Sequence, residues 1–280
     1  MCQAQNIALV FDFDHTLTDD STEKLLSSFG IDTAIFWRET VGQMVTDGWD
    51  PALAWTSALC DLVGKNRPLG NLTEEQLSEF GKSIDFYPDV LSSLEDFRRI
   101  PDEFPELNTE VELYIISGGI EVLLRGTKAA EKVDEIRGCT FEVDSKGILK
   151  RPKRAITFTE KTRYLFEINK GLLRQSKSDP YAVNESIERE DRRVPFENMI
   201  YIGDGLTDVP AFSVVKQRGG AAFAVVDPCD VVRRRRAWEK LVSPTRVTNV
   251  FQPSYGPDAM LGAFLREGVR SMCRRMVGSG

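Results

Sequence analysis

No basic segment running into a long apolar one opens this sequence: MCQAQNIALVFDFD carries no positive residue, and its short apolar run stops at Asp12 and Asp14. A secretory signal or membrane anchor is therefore not expected, and the reading is a cytoplasmic protein with no membrane partner. Positive charge is also in deficit. Lys and Arg number 36 against 43 Asp and Glu, a formal net charge of −7, which disfavours nucleic acid and anionic lipid as default partners. No CxxC pair occurs. The five cysteines, Cys2, Cys60, Cys139, Cys229 and Cys273, are scattered, so neither a disulfide frame nor a zinc site is implied and they read as reduced packing residues. Internal repeats and low-complexity segments are missing too. What remains is a globular chain of 280 residues, 41% hydrophobic, long enough for one large domain or a domain with a smaller companion.

Four short apolar runs stand out, each ending at a polar or glycine-rich stretch. They are Ile7 to Phe11 before Asp12-Phe-Asp14, Val111 to Ile116 before Ser117-Gly-Gly, Met199 to Ile202 before Gly203-Asp-Gly, and Phe223 to Val226 before Asp227-Pro. Continuous rather than alternating hydrophobicity fits strands buried on both faces. Helical spacing separates them, as over Ile120 to Val133 and Thr162 to Leu173. Strand, helix, strand in succession predicts an α/β fold with a doubly wound parallel, Rossmann-like sheet, whose ligands bind at the carboxyl ends of the strands.

Between the first two strands, apolar residues recur at helical spacing over roughly 19–87. This predicts an inserted, mainly helical cap domain, leaving 1–18 and 88–280 as the core. Asp50-Pro51 marks a helix start, Thr73 with Gln76 forms a capping-box pattern, and Gly81 is placed to close that helix. Asp144-Ser-Lys-Gly147 between β-prone runs predicts a hairpin. Lys177 to Pro195 is polar and aperiodic, a surface excursion. Leu261, Phe264, Leu265, Val269, Met272 and Met276 define the buried stripe of a terminal helix, with Arg266, Arg270, Arg274 and Arg275 on the remainder.

Strand-end carboxylates carry the chemical suggestion. Asp12 and Asp14 stand close enough in sequence for both to approach one hard cation, and Asp204 after the third run can complete an oxygen set suited to Mg2+. Phosphoryl transfer needs a nucleophile, a cation, donors for the phosphate oxygens and an acid for the leaving group, and each has a candidate here.

The ordered set Asp12-Phe-Asp14-His-Thr16-Leu-Thr18, Ser117-Gly118-Gly119, Lys161 and Gly203-Asp204-Gly205-Leu-Thr-Asp208 resembles the haloacid dehalogenase (HAD) superfamily, and within it the phosphoserine-phosphatase-like branch with a helical cap. That resemblance implies a magnesium-dependent phosphomonoesterase acting on a small phosphorylated metabolite. Asp12 would be the nucleophile and a metal ligand, and Asp14 the acid/base, its backbone carbonyl also on the metal. Ser117 and the amide of Gly118 would hold phosphate oxygens, and Lys161 would neutralise charge on nucleophile and phosphoryl group. Asp204 would ligate the metal and Asp208 would orient its shell. Lys150, Lys153 and Lys170 compete with Lys161 for its part. The branch's cap glutamate and arginine have only candidates: Asp19, Asp20, Glu23, Arg38 and Arg67.

Other features have plainer readings. His15, the one histidine, reads as a backbone or packing partner. The Arg233 to Arg236 run reads as a solvated helix face. Phe36, Trp37, Trp49 and Trp55 read mainly as cap core, one or two of them facing the site. Two alternatives share the same residues: a phosphotransferase or mutase, and a non-catalytic phosphate-binding module.

Overall fold

The computed structural model describes residues 5–278. Cys2 lies outside them. Seven strands are formed among these residues: β1 (Ile7–Phe11), β2 (Val111–Ile120), β3 (Glu135–Val143), β4 (Leu149–Arg154), β5 (Met199–Gly203), β6 (Ala221–Val225) and β7 (Asn249–Phe251). They make one sheet in the order β4-β3-β2-β1-β5-β6-β7, parallel except where β4 returns antiparallel along β3. β1 is apolar throughout because both of its faces are covered, and all five of its residues are buried. β2 pairs it from Ile7–Val111 to Phe11–Ile115, and β5 from Ala8–Met199 to Phe11–Ile202. Sequence order reverses across β1, so the crevice beyond the carboxyl ends of β1, β2 and β5 is where such a sheet holds a ligand.

The segment between β1 and β2 is helical. It holds α1 (Ser21–Ser28), α2 (Thr33–Ile35), a wide turn over Phe36–Val41, α3 (Gly42–Thr46), α4 (Pro51–Asp61), α5 (Glu74–Gly81) and α6 (Val90–Arg99). Side chains fix the starts. Asp20 accepts from the Glu23 amide at 2.8 Å, Asp50 accepts from the amides of Ala52 and Leu53 with Pro51 in the first turn, and Thr73 and Gln76 complete the expected capping box. Later come α7 (Glu121–Arg125), α8 (Glu160–Lys170), α9 (Val209–Gln217), α10 (Val231–Ala237) and α11 (Met260–Val277). None of the described helices is long and apolar enough to cross a membrane.

Several expectations are corrected. β2 does not stop at Ile116 but continues through Ser117-Gly-Gly to Ile120, with its register on β3 broken between Ile116 and Ile120. The helix expected over Ile120 to Val133 shrinks to α7 and a tight turn at Lys128–Lys132. Thr127 ends it by folding its hydroxyl back onto the Leu124 carbonyl at 2.7 Å. Arg266 does not face solvent: it is buried and donates to the Tyr255 carbonyl, Ser93 Oγ and Asp96, tying α11 to α6. Phe264 is 46% exposed, resting on Phe251 at 5.0 Å between ring centroids. Cys139 and Cys273 are buried as packing residues, but Cys229 is exposed. The hairpin forms at Asp144-Ser-Lys-Gly147, where Gly147 takes φ 77°. The 177–195 excursion is held by the Lys170 ammonium, which donates to the carbonyls of Val183 and Glu185, and by buried Ala182 and Val194.

Backbone contact joins the end of the insertion to the sheet layer. A Cβ at Gly126 would strike the Ser78 carbonyl of α5, and one at Gly81 would strike the Leu123 carbonyl of α7, both far inside van der Waals contact. Two helices approach this closely only through glycine. Gly126→Ala should therefore cost about 1–3 kcal/mol or more in urea unfolding, since backbone rather than a flexible side chain must give way. An unchanged midpoint would mean that the helices are not locked together there.

Candidate active site

β1 ends at Phe11, and the chain turns so that Asp12 and Asp14 face the crevice. Asp12 Oδ1 accepts from the Phe13 amide at 2.8 Å, and its Oδ2 lies 3.0 Å from Lys161 Nζ. Lys161, in the first turn of α8, is 2% exposed and donates also to Asp208 Oδ1 at 2.6 Å. Asp208 is fully engaged: Tyr201 Oη donates to the same oxygen at 2.7 Å, and the Gly205 amide to Oδ2 at 3.2 Å. Gly203 makes room for it, because any Cβ there would collide with the Asp208 carboxylate. Among the described residues, Asp12, Asp204 and Asp208 each offer an oxygen within 4.8 Å of the others.

Asp14 sits differently. Its Oδ1 accepts from the Ser21 amide at 2.8 Å. A Cβ on Gly119 would stand 2.9 Å from its Oδ2 and 3.3 Å from Ser117 Oγ, so the second glycine of Ser117-Gly-Gly lets that strand end close on the carboxylate. Ser117 Oγ accepts from the Gly119 amide at 2.9 Å, which leaves its own proton free to donate, and the space beside Gly118 is open. The cleft formed here measures about 570 Å³.

Each sequence-predicted site residue reaches this place. Asp12, Asp14, Ser117, Gly118, Lys161 and Asp204 line the cleft, and Asp208 stands behind it. Of the clamp candidates, Asp20 and Glu23 line it, whereas Arg38 is exposed and turned to Glu39, and Arg67 donates to the Asp61 carbonyl. Asp19 pairs with Lys24 at 3.1 Å, so Asp19, Arg38 and Arg67 all lie off the cleft lining. Trp37 and Trp55 face the cleft, while Phe36 is buried and Trp49 exposed. The residue missed is Arg233. Its guanidinium donates to Asp204 Oδ2 at 2.9 Å and meets His15 Nε2 at 2.8 Å. A guanidinium can only donate, so that histidine nitrogen accepts. The one clue in the sequence was Asp230, which caps α10 by accepting from the Arg233 amide at 2.9 Å and so sets Arg233 in its first turn.

Burial dominates the electrostatics. It raises the carboxyl of Asp12 to about 8, with Lys161 pulling the other way. It raises Asp14 to about 7, helped by Asp20, and Asp204 to about 6, helped by Asp208. The same burial would lower the Lys161 ammonium, but Asp12 and Asp208 outweigh it and hold it above its ordinary value. Crowding of Asp12, Asp204 and Asp208 is what a bound cation would relieve, since each offers it an oxygen. Hard oxygen donors at that spacing fit Mg2+.

The model of the haloacid dehalogenase-like hydrolase family matches residues 9–213. An uncharacterized protein of Borreliella burgdorferi is 28% identical over 231 residues, 75% of this chain and 78% of that one. Among solved structures, a HAD family hydrolase from Salmonella enterica serovar Typhi superposes with TM-score 0.56 at 16% identity, over 94% of this chain and 71% of that one. A substrate-bound phosphoserine phosphatase complex gives 0.54 at 13% identity, over 95% and 99%. A phospho-aspartyl intermediate analogue of phosphoserine phosphatase gives 0.52 at 14%, over 94% and 99%. At these identities the likeness is one of fold.

The raised carboxyls predict how stability responds to pH. Folded Asp12, Asp14 and Asp204 keep protons that the unfolded chain has released, so raising pH from about 4 towards 8 strips those protons and destabilises the metal-free protein. A cation that takes the protons' place cancels the loss. The rise in melting temperature on adding magnesium should thus grow with pH across this window. A rise independent of pH would contradict the coupling of these carboxylates to the metal.

Proposed function

This chain belongs to the haloacid dehalogenase-like hydrolases, and we propose that within that family it is a magnesium-dependent phosphatase that hydrolyses a small phosphomonoester through an aspartyl phosphate on Asp12. The observation that carries this reading is the contrast between two carboxylates only two residues apart. Asp12 is paired with a buried ammonium, whereas Asp14 has no cation of its own and rests on one amide. Groups in such different environments can take different parts in one reaction.

In this reading Asp12 attacks phosphorus in line, with Lys161 favouring its ionised form against burial and offsetting charge on the phosphoryl oxygens. Ser117 Oγ and the Gly118 amide donate to those oxygens. Asp14, with its carboxyl near 7, protonates the departing alcohol and then takes a proton from the water that attacks the aspartyl phosphate. Asp12 and Asp204 would hold Mg2+ with the Asp14 carbonyl, and Asp208 keeps Lys161 and the Gly205 turn in place. The bound cation supplies neutralisation of charge spread over the transferring group. Residues 19–87 act as the cap, since Thr22, Glu23, Trp37 and Trp55 reach over the strand ends and restrict water. The similarity in fold to phosphoserine phosphatases supports the reaction class rather than the substrate.

With an aryl phosphate, whose leaving group needs little protonation, the two aspartates should fail differently. Asp12→Asn should form no phosphoenzyme. Asp14→Asn should form it and lose it about 10²- to 10⁴-fold more slowly than wild type, so that it accumulates. Rapid acid quench and intact mass read both. Normal turnover of Asp14→Asn without accumulation would overturn its assignment, and turnover by Asp12→Asn would overturn the nucleophile.

A further inference from the structure

Beyond the reacting carboxylates the cleft changes character. The insertion contributes Trp37, Pro51, Ala52 and Trp55, and Ile156 and Phe158 face them. The indole rings of Trp37 and Trp55 stand 6.3 Å apart at 56°, so they form two walls of a corner rather than a stack. Beside them lies Glu23, from the first turn of α1, whose carboxylate makes no ion pair among the described residues. Burial, then Asp20, raises its carboxyl above the usual glutamate range, and His15, Arg233 and the Trp37 indole N–H together offset only part of that. The indole N–H is buried without a well-formed hydrogen bond of its own. A half-buried, unpaired carboxylate against aromatic faces suits a cation.

A substrate anion finds the opposite. The basic side chains on the cleft are His15, Lys161 and Arg233, all from outside residues 19–87 and all engaged. Lys161 is held by Asp12 and Asp208, and Arg233 by Asp204, Asp230 and His15. Within the insertion, Arg38 is turned to Glu39 with its side chain 75% exposed.

We infer that the alcohol portion of the substrate carries an ammonium group and no carboxylate, seated between the Glu23 carboxylate and the indole faces of Trp37 and Trp55. The inference rests on the phosphatase reading and names the substrate class for that site. The chemistry is unchanged. The ester P–O bond breaks, the amino alcohol leaves with the Asp14 proton, and the oxygen of water ends on inorganic phosphate.

Two esters of one shape isolate the charge: phosphocholine, and 3,3-dimethylbutyl phosphate, in which carbon replaces the quaternary nitrogen. Wild type should favour phosphocholine in kcat/KM by about tenfold or more. Glu23→Gln and Trp37→Leu, each checked for an unchanged circular dichroism spectrum, should bring the ratio towards one. A wild-type ratio at or below one, a ratio untouched by both variants, or a preference for phosphoserine would overturn the inference, provided an aryl phosphate is turned over. If no phosphate ester is turned over, the phosphatase reading falls by itself. The pocket is then decided by calorimetry, where choline should bind more tightly than 3,3-dimethylbutanol and equal binding would overturn the inference.

Discussion

One ammonium group organises the site. Lys161 is buried and shared between Asp12 on the β1 end and Asp208 beyond the β5 end, so a single charge ties the two central strands together where their loops diverge. Stripping three charges of water is expensive, and only close pairing with further hydrogen bonds offsets it. The structure supplies both: Tyr201 and the Gly205 amide complete Asp208, and the Phe13 amide completes Asp12. Removing one partner would leave an uncompensated buried charge, a cost of about 3–5 kcal/mol in such pairs. The geometry of Asp12 and the stability of the fold are thus coupled through the same contact.

Glycine positions and helix ends follow from this arrangement. Gly203 lets Asp208 lie under β5, and Gly119 lets Asp14 approach the end of β2. The insertion enters through Asp20, which caps α1, and returns through α5, which meets α7 backbone to backbone. Arg233 adds a cation from the other side, resting on Asp204.

The centre of the sheet was legible because β1, β2, β5 and β6 are buried, which writes continuous apolar runs into the sequence, whereas β7, only three residues long and partly exposed, left no such run. Asp12, Asp14 and Asp204 were legible because they follow β1 and β5, while Ser117 lies in the last residues of β2 and Lys161 in the first turn of α8, so chain order brings all of them to one edge. Arg233 was not. Its role depends on α10 meeting the β1 loop, a contact between residues 218 positions apart that no local pattern encodes. The same holds for Arg266, whose place on α11 is set by the carbonyl of Tyr255 and the side chains of Ser93 and Asp96. The short α7 shows local propensity losing to a tertiary contact, since its periodicity continues beyond the point where Thr127 and the α5 backbone end it. Arg38 and Arg67 fail for a related reason: helical spacing says that they lie in the insertion, not which way its helices turn.

The central claim is that a covalent bond forms at one named carboxylate. Borohydride reduction of acid-quenched enzyme, taken during turnover of an aryl phosphate, converts an aspartyl phosphate to homoserine and marks its position for peptide mass spectrometry. The account predicts homoserine at position 12 and at no other aspartate. Homoserine at position 14, 204 or 208, or none while turnover proceeds, would contradict it.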